Sequence, residues 1–189
     1  MPLQKAGHKL AGAALKLLAK KSWRQLTLSD VAKAAKVPLT QLQPLDGGKQ
    51  ALIGLILDKF GADTGKHYSP GGVTERDRVF DAAMAWFDVL APHKRAIGSL
   101  YDGLKFDSLT LLALRRDFIR AANWLLTLAA ADTGSFASAR ALGFAIILGR
   151  AIPAWLNDDK DLTKTMAQID GDLNRAEDIA KFVRPRSEA

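Results

Sequence analysis

Apolar positions along this chain recur every three or four residues almost from end to end, and no segment shows the alternation of a half-buried strand. The repeat predicts an all-α protein of about nine helices. From Leu3 to Lys21, the residues Leu3, Leu10, Ala14, Leu17 and Leu18 project to one side at about 100° per residue, while Lys5, Lys9, Lys16 and Lys20 gather on another. A second helix is expected to start near Thr27-Leu28-Ser29-Asp30 and to carry Leu28, Val31, Ala32 and Ala35. A third short helix follows from Pro38 to Gln43, because proline suits a first helical position and Pro44 ends the run. A fourth covers Gly48 to Phe60, with Leu52, Ile53, Ile56 and Phe60 at helical spacing.

The stretch Gly61 to Gly72, closing on Ser69-Pro70-Gly71-Gly72, reads as a linker. It divides the chain into residues 1–60, a linker over 61–73, and a helical part over 74–189. Thr74 is the expected N-cap of the next helix, with Asp77 three residues on. That helix shows Val79, Phe80, Ala83, Met84, Trp86, Phe87 and Leu90 on one broad face, and Ala91-Pro92-His93 is expected to break it. Helices near Lys94 to Leu104 and Leu109 to Ala131 follow, then Asp132-Thr133-Gly134 as punctuation. A long apolar helix from Ser135 to Leu156 and a polar turn over Asn157 to Asp161 lead into the last helix, Leu162 to Val183. It repeats Met166, Ile169, Leu173, Ala176, Ala180 and Val183 in three-four steps.

Charge adds what periodicity does not. The net charge is +7, and residues 1–68 carry all of the excess, with eleven Lys/Arg against four acids. A basic segment joined to a neutral one suits a module that faces a polyanion, although a basic surface also serves solubility. The 189 residues, 48% hydrophobic and 25% charged, are ordinary globular usage. The absence of cysteine excludes disulfides, thiolate zinc sites and cysteine nucleophiles, and fits a reducing cytoplasm. No signal peptide is read at the start, and the run Phe144 to Leu148 is too short for the roughly 20 apolar residues of a spanning helix. His8, His67 and His93 are not spaced as a metal pair, and Gly47-Gly48-Lys49 lacks the rest of a phosphate loop. Asp158-Asp159-Lys160-Asp161 is too irregular for a calcium loop. The expectation is a cytoplasmic non-enzyme with no cofactor and no metal.

Three short helices with a tight turn in a basic N-terminal module describe a helix-turn-helix. The segment Trp23-Arg24-Gln25-Leu26-Thr27-Leu28-Ser29-Asp30-Val31-Ala32-Lys33-Ala34-Ala35-Lys36-Val37 resembles the start of the TetR family's DNA-binding domain. Gly48-Lys49-Gln50-Ala51-Leu52 resembles the family's Ser-Lys-Glu-x-Leu lead into its fourth helix, and the helical remainder is similar in length to its ligand-binding and dimerising domain. The departures fall on the reading helix. That family usually has Ser-x-x-x-Leu-Tyr-x-His-Phe after the valine; here Leu42 matches, while Gln43, Leu45 and Asp46 replace the tyrosine, histidine and phenylalanine. Lys36 stands where a glycine usually makes the turn. Pro44 would cost on the order of 3 kcal/mol inside a helix, so the reading helix should stop near Gln43.

The resemblance implies a homodimer on double-stranded DNA with a small hydrophobic ligand or lipid in the C-terminal part. Lys16, Lys20, Arg24, Thr27 and Lys49 are the candidates for phosphate contacts, and Thr40, Gln41 and Gln43 for base edges. The lysine stripe equally suits a solvated helix face. Met84, Trp86, Phe87, Tyr101, Phe106, Phe118 and Trp124 could line a ligand pocket, with His93, Asn123 or Arg120 as its polar groups, or could be ordinary core. Ala139, Gly143 and Gly149 would let two copies approach closely, with Phe144, Ile147, Met166, Ile169 and Leu173 supplying buried area; the same residues would also suit packing inside one chain. Phe80, Met84, Trp86, Phe87, the Leu90-Ala91-Pro92-His93-Lys94 run and Trp155 to Asp159 also resemble TetR-fold lipid-binding accessory proteins of ubiquinone biosynthesis. That second resemblance implies a vestigial helix-turn-helix and a bound lipid.

Overall fold

The three-four periodicity is realised as helix throughout the computed structural model, which describes residues 2–43, 47–131 and 136–183 and holds no strand among them. Eight α-helices follow in order: α1 (Pro2–Leu18), α2 (Leu28–Ala35), α3 (Ala51–His67), α4 (Glu75–Leu90), α5 (Lys94–Leu104), α6 (Ser108–Leu128), α7 (Ala137–Leu156) and α8 (Thr163–Val183). The expected count of nine is corrected at the third element. Its described part is a 3-10 turn over Leu39–Leu42, not an α-helix. Pro44, Leu45 and Asp46, on which much of the departure from the TetR pattern rests, lie outside the described residues, as do Asp132 to Ser135.

Two expected breaks are also corrected. Ala91-Pro92-His93 does not interrupt the chain: Pro92 sits at the start of a 3-10 turn that passes α4 directly into α5, where its missing N–H costs nothing. Gly61 does not open a linker. It is buried inside α3, which continues to His67, and the Thr64 hydroxyl donates back to the Phe60 carbonyl at 2.8 Å. Lys59 and Lys66 both pair with Asp63 on these last turns. The Thr74 cap stands as expected, with Asp77 N–H donating to Thr74 Oγ1 and Thr74 N–H to Asp77 Oδ2, each at 3.1 Å.

The chain forms two compact units, one from residues 1–67 and 88–121, the other from 68–87 and 122–189. In the first, α1 is the hub and touches α2, α3 and α5. Ala11 and Ala14 on its inner face are wholly buried beside Leu15 and Leu18, so the small residues bring neighbouring backbones close. Trp23, in a 3-10 turn over Trp23–Gln25, is buried against α5: a Cβ at Gly103 would stand 2.7 Å from Trp23 Cβ. Ser99 on the same helix donates to the Lys21 carbonyl at 3.0 Å.

In the second unit, α7 lies against α8. Phe87 is ringed by two indoles, Trp86 edge-on at 5.1 Å and Trp155 tilted at 5.7 Å between centroids. Asp172 of α8 is buried and accepts from Gln168 at 2.8 Å, Arg150 at 3.1 Å and Arg175 at 2.6 Å. Asp158 caps α8, accepting from the Thr165 N–H and hydroxyl, both at 2.7 Å. The expectation that no segment is long and apolar enough to span a bilayer is corrected by α7, whose 20 residues meet that test on length and composition. Its Arg150 is nevertheless tied to Asp172, and Phe144, Ile147, Leu148 and Trp155 are buried.

Candidate nucleic-acid interface

The segment from Thr27 to Gln43 builds one edge of the first unit from strictly local rules. Thr27 opens α2 with a capping box: the Asp30 N–H donates to Thr27 Oγ1 at 3.1 Å, and the Thr27 N–H to Asp30 Oδ2 at 3.4 Å. Lys21 reaches the same carboxylate at 3.3 Å, and these bonds hold the Asp30 carboxyl below the usual carboxylate range. At the other end Lys36 takes the left-handed conformation, φ 54° and ψ 42°. The Val37 N–H then donates to the Ala32 carbonyl at 3.0 Å and the Lys36 N–H to Lys33 at 3.2 Å, a complete Schellman stop. The chain leaves this stop into the 3-10 turn, which buries Leu42 and leaves Thr40, Gln41 and Gln43 exposed. Those are the three side chains expected to reach base edges.

Among the expected phosphate contacts, Lys16 at the end of α1, Lys20 and Arg24 are exposed. Thr27 is exposed too, with its hydroxyl accepting in the cap. Lys49 is placed differently. Its ammonium donates to the Trp23 carbonyl at 2.9 Å and lies 4.5 Å from the centroid of the Trp23 ring, and burial pushes it below the ordinary lysine value. Gly47 and Gly48 lead into it at φ 88° and 58°, backbone that a side chain would strain.

The expected pocket residues are divided between the two units. Met84, Trp86 and Phe87 belong to the second unit, Trp86 and Phe87 as buried core, and Asn123 and Trp124 are exposed on the part of α6 in that unit. His93, Tyr101 and Phe118 belong to the first and are half-buried. His93 lies 5.7 Å from the Phe60 ring, and burial together with the Lys59 charge lowers its pKa. Arg120 is bound to Asp58 at 3.0 Å and Asp117 at 2.8 Å. Phe106 is 85% exposed and so is not part of the core. Trp155, not among the expected pocket residues, completes the aromatic group, and the buried Trp86 indole N–H meets no acceptor among the described residues.

The expected dimer set also divides. Phe144, Ile147, Ile169 and Leu173 are buried within the single chain. Ala139 and Met166 are exposed and Gly143 is half-buried. The apolar side chains that α7 leaves uncovered are instead Leu142 and Ile146, 40% and 55% exposed, which continue the Ala139 row at helical spacing.

Two crystal structures share this architecture. One is a TetR transcriptional regulator from Rhodococcus sp. RHA1, with a TM-score of 0.58 at 18% identity over 98% of this chain and 100% of that one. The other is a tetR-family transcriptional regulator from Streptomyces coelicolor, with a TM-score of 0.55 at 18% identity over 95% of this chain and 83% of that one. No family model matches the chain, and no curated protein matches it in sequence. The fold is TetR-like.

Proposed function

We propose that this protein is a TetR-like transcriptional regulator that binds double-stranded DNA as a homodimer and answers to a small hydrophobic effector. The observation that carries this reading is the Lys36 stop, which presents Thr40, Gln41 and Gln43 to solvent in the part of the chain that holds all the net positive charge. Glutamine can pair with adenine through two hydrogen bonds, and Lys16, Lys20 and Arg24 would neutralise phosphates. Thr27 would add the amide-rich start of α2, and Lys49 would act mainly by holding Trp23 in place.

Dimerisation would use the Ala139, Leu142, Gly143, Ile146 and Gly149 row of α7 with Met166 of α8, backed from beneath by Phe144, Ile147, Ile169 and Leu173. The effector would sit against Met84, Trp86 and Phe87. A buried N–H without an acceptor is costly, so an oxygen on the effector would gain by meeting the Trp86 indole. Effector and DNA would then change each other's affinity by the same factor. The protein acts in the cytoplasm and catalyses no reaction.

Selection of bound duplexes from a random library by the purified full chain tests the reading. Enrichment of a palindrome supports it, and salt-sensitive retention of all sequences alike refutes it. Gln41→Ala and Gln43→Ala should relax base preference at defined positions, whereas Lys16→Ala should weaken binding to every sequence.

A further inference from the structure

The most exposed apolar side chains of the first unit gather where α5 turns into α6. Phe106 is 85% exposed, Leu109 81% and Leu112 64%. From Leu109 the helical spacing continues through Leu112 and Ala113 to Arg116, all exposed, so one side of α6 begins apolar and ends on a cation. The opposite side of the same turns is anchored, with Thr110 and Leu114 buried.

We propose that this corner is a docking site for an anionic lipid surface. Side chains exposed to this degree protrude, and protruding apolar groups suit a fluid layer that closes around them, whereas a rigid partner would need a matching cavity. The charges beside them have the sign such a layer requires. Arg115 and Arg116 are exposed one turn beyond Leu112, while Lys105, 5.5 Å from the Phe106 ring centroid, offsets the charge of Asp102. Arg24 adds its charge from the neighbouring turn and acts on Asp107.

The nearby carboxylates are committed to partners. Asp102 binds Lys105 at 2.8 Å, and Asp117 binds Arg120 at 2.8 Å. Asp107 accepts from the Thr110 N–H at 3.0 Å and its hydroxyl at 2.7 Å. That cap also fixes the turn, so Phe106 and Leu109 are held out in advance and little ordering is lost on contact.

Sedimentation of the full chain with lipid vesicles tests the proposal. The chain should pellet with vesicles of phosphatidylcholine mixed with phosphatidylglycerol, stay in solution with phosphatidylcholine alone, and be released by high salt. Phe106→Ser with Leu109→Ser should lower partitioning by about tenfold or more, and Arg116→Gln by about fivefold. Both positions of the double variant are solvated, so its thermal unfolding should match the parent. A parent chain that ignores the mixed vesicles overturns the proposal, as does a double variant that binds them equally well. A double variant that instead loses a dimer seen by sedimentation velocity also overturns it, by showing a second copy on this corner. Duplex selection reads the base-edge candidates Thr40, Gln41 and Gln43, which none of the vesicle variants alters, so failure of the regulator reading leaves the vesicle result standing.

Discussion

Replacing Gly103 by alanine adds one methyl group at the place where α5 receives Trp23. The new carbon would stand 2.7 Å from Trp23 Cβ, 2.9 Å from Cδ1 and 3.1 Å from Cγ, all inside normal contact. Cβ, the nearest of them, is fixed by the backbone, so no change of rotamer can clear it. The Trp23 backbone is also held, since Lys49 donates to its carbonyl and Ser99 to that of Lys21. Alanine in a helix interior gains about 1 kcal/mol over glycine, while overpacking a filled site costs about 1–3 kcal/mol. The net expectation is a loss of up to about 2 kcal/mol, with the melting temperature falling by about 2–4 °C per kcal/mol for a chain of this size. Gly12→Ala is the internal control: it lies within α1 with nothing inside 4 Å of the added carbon, so the same substitution should stabilise. Urea and thermal unfolding followed by tryptophan fluorescence reads both. If Gly103→Ala is as stabilising as Gly12→Ala, Trp23 does not seat on α5 and the account of the first unit is wrong.

Lys36→Gly should raise stability by up to about 1 kcal/mol, because the left-handed strain at φ 54° is relieved and only partly offset by a freer unfolded chain; a loss in the same melts would contradict this. Burial opposes ionisation of Asp172, but Gln168, Arg150 and Arg175 outweigh it and hold its carboxyl below the ordinary aspartate value of 3.8. A folded-state value below the unfolded one means a contribution to stability that is complete above the unfolded value and is lost as the pH falls through the folded one. Asp172→Asn should therefore flatten the acid limb of melting temperature against pH, and an unchanged limb would refute the assignment. Gly149→Ala adds a methyl that meets nothing within 4 Å among the described residues, so it should leave monomer stability intact or improved while weakening self-association. Analytical ultracentrifugation decides, and an undiminished dimer would place the contact elsewhere. Ile146→Asp should shift the same equilibrium to monomer without lowering the melting temperature by more than a degree or two.

Helices whose ends carry local chemistry were legible in the sequence. Thr74 with Asp77 closes a cap of the expected form, α2 starts where Thr27 to Asp30 placed it, and Lys36 adopts the left-handed backbone of the turn. The misreadings have a common cause: proline and glycine punctuate only when tertiary contacts let them. Gly61 is absorbed because α3 buries it, and Pro92 because the first turn of a helix has no use for its N–H. For the candidate interface, the exposed positions of Thr40, Gln41 and Gln43 follow from the turn and were readable. The inward bond of Lys49 was not, since it depends on Trp23, 26 residues away. Likewise, which side of α7 faces inward depends on α8 and cannot be taken from a helix apolar on most sides.

The chain passes between its two compact units three times, near residues 67, 87 and 121, and α4 and α6 each belong to both. The first unit is therefore not an N-terminal segment that can be cut out. A fragment ending at His67 would lack Gly103 and Ser99, leave Trp23 uncovered and strip α1 of its contact with α5. Transfer of this first unit to another protein would thus have to carry residues 88–121 along with the first 67, and shuffling of the N-terminal segment alone would meet the same obstacle.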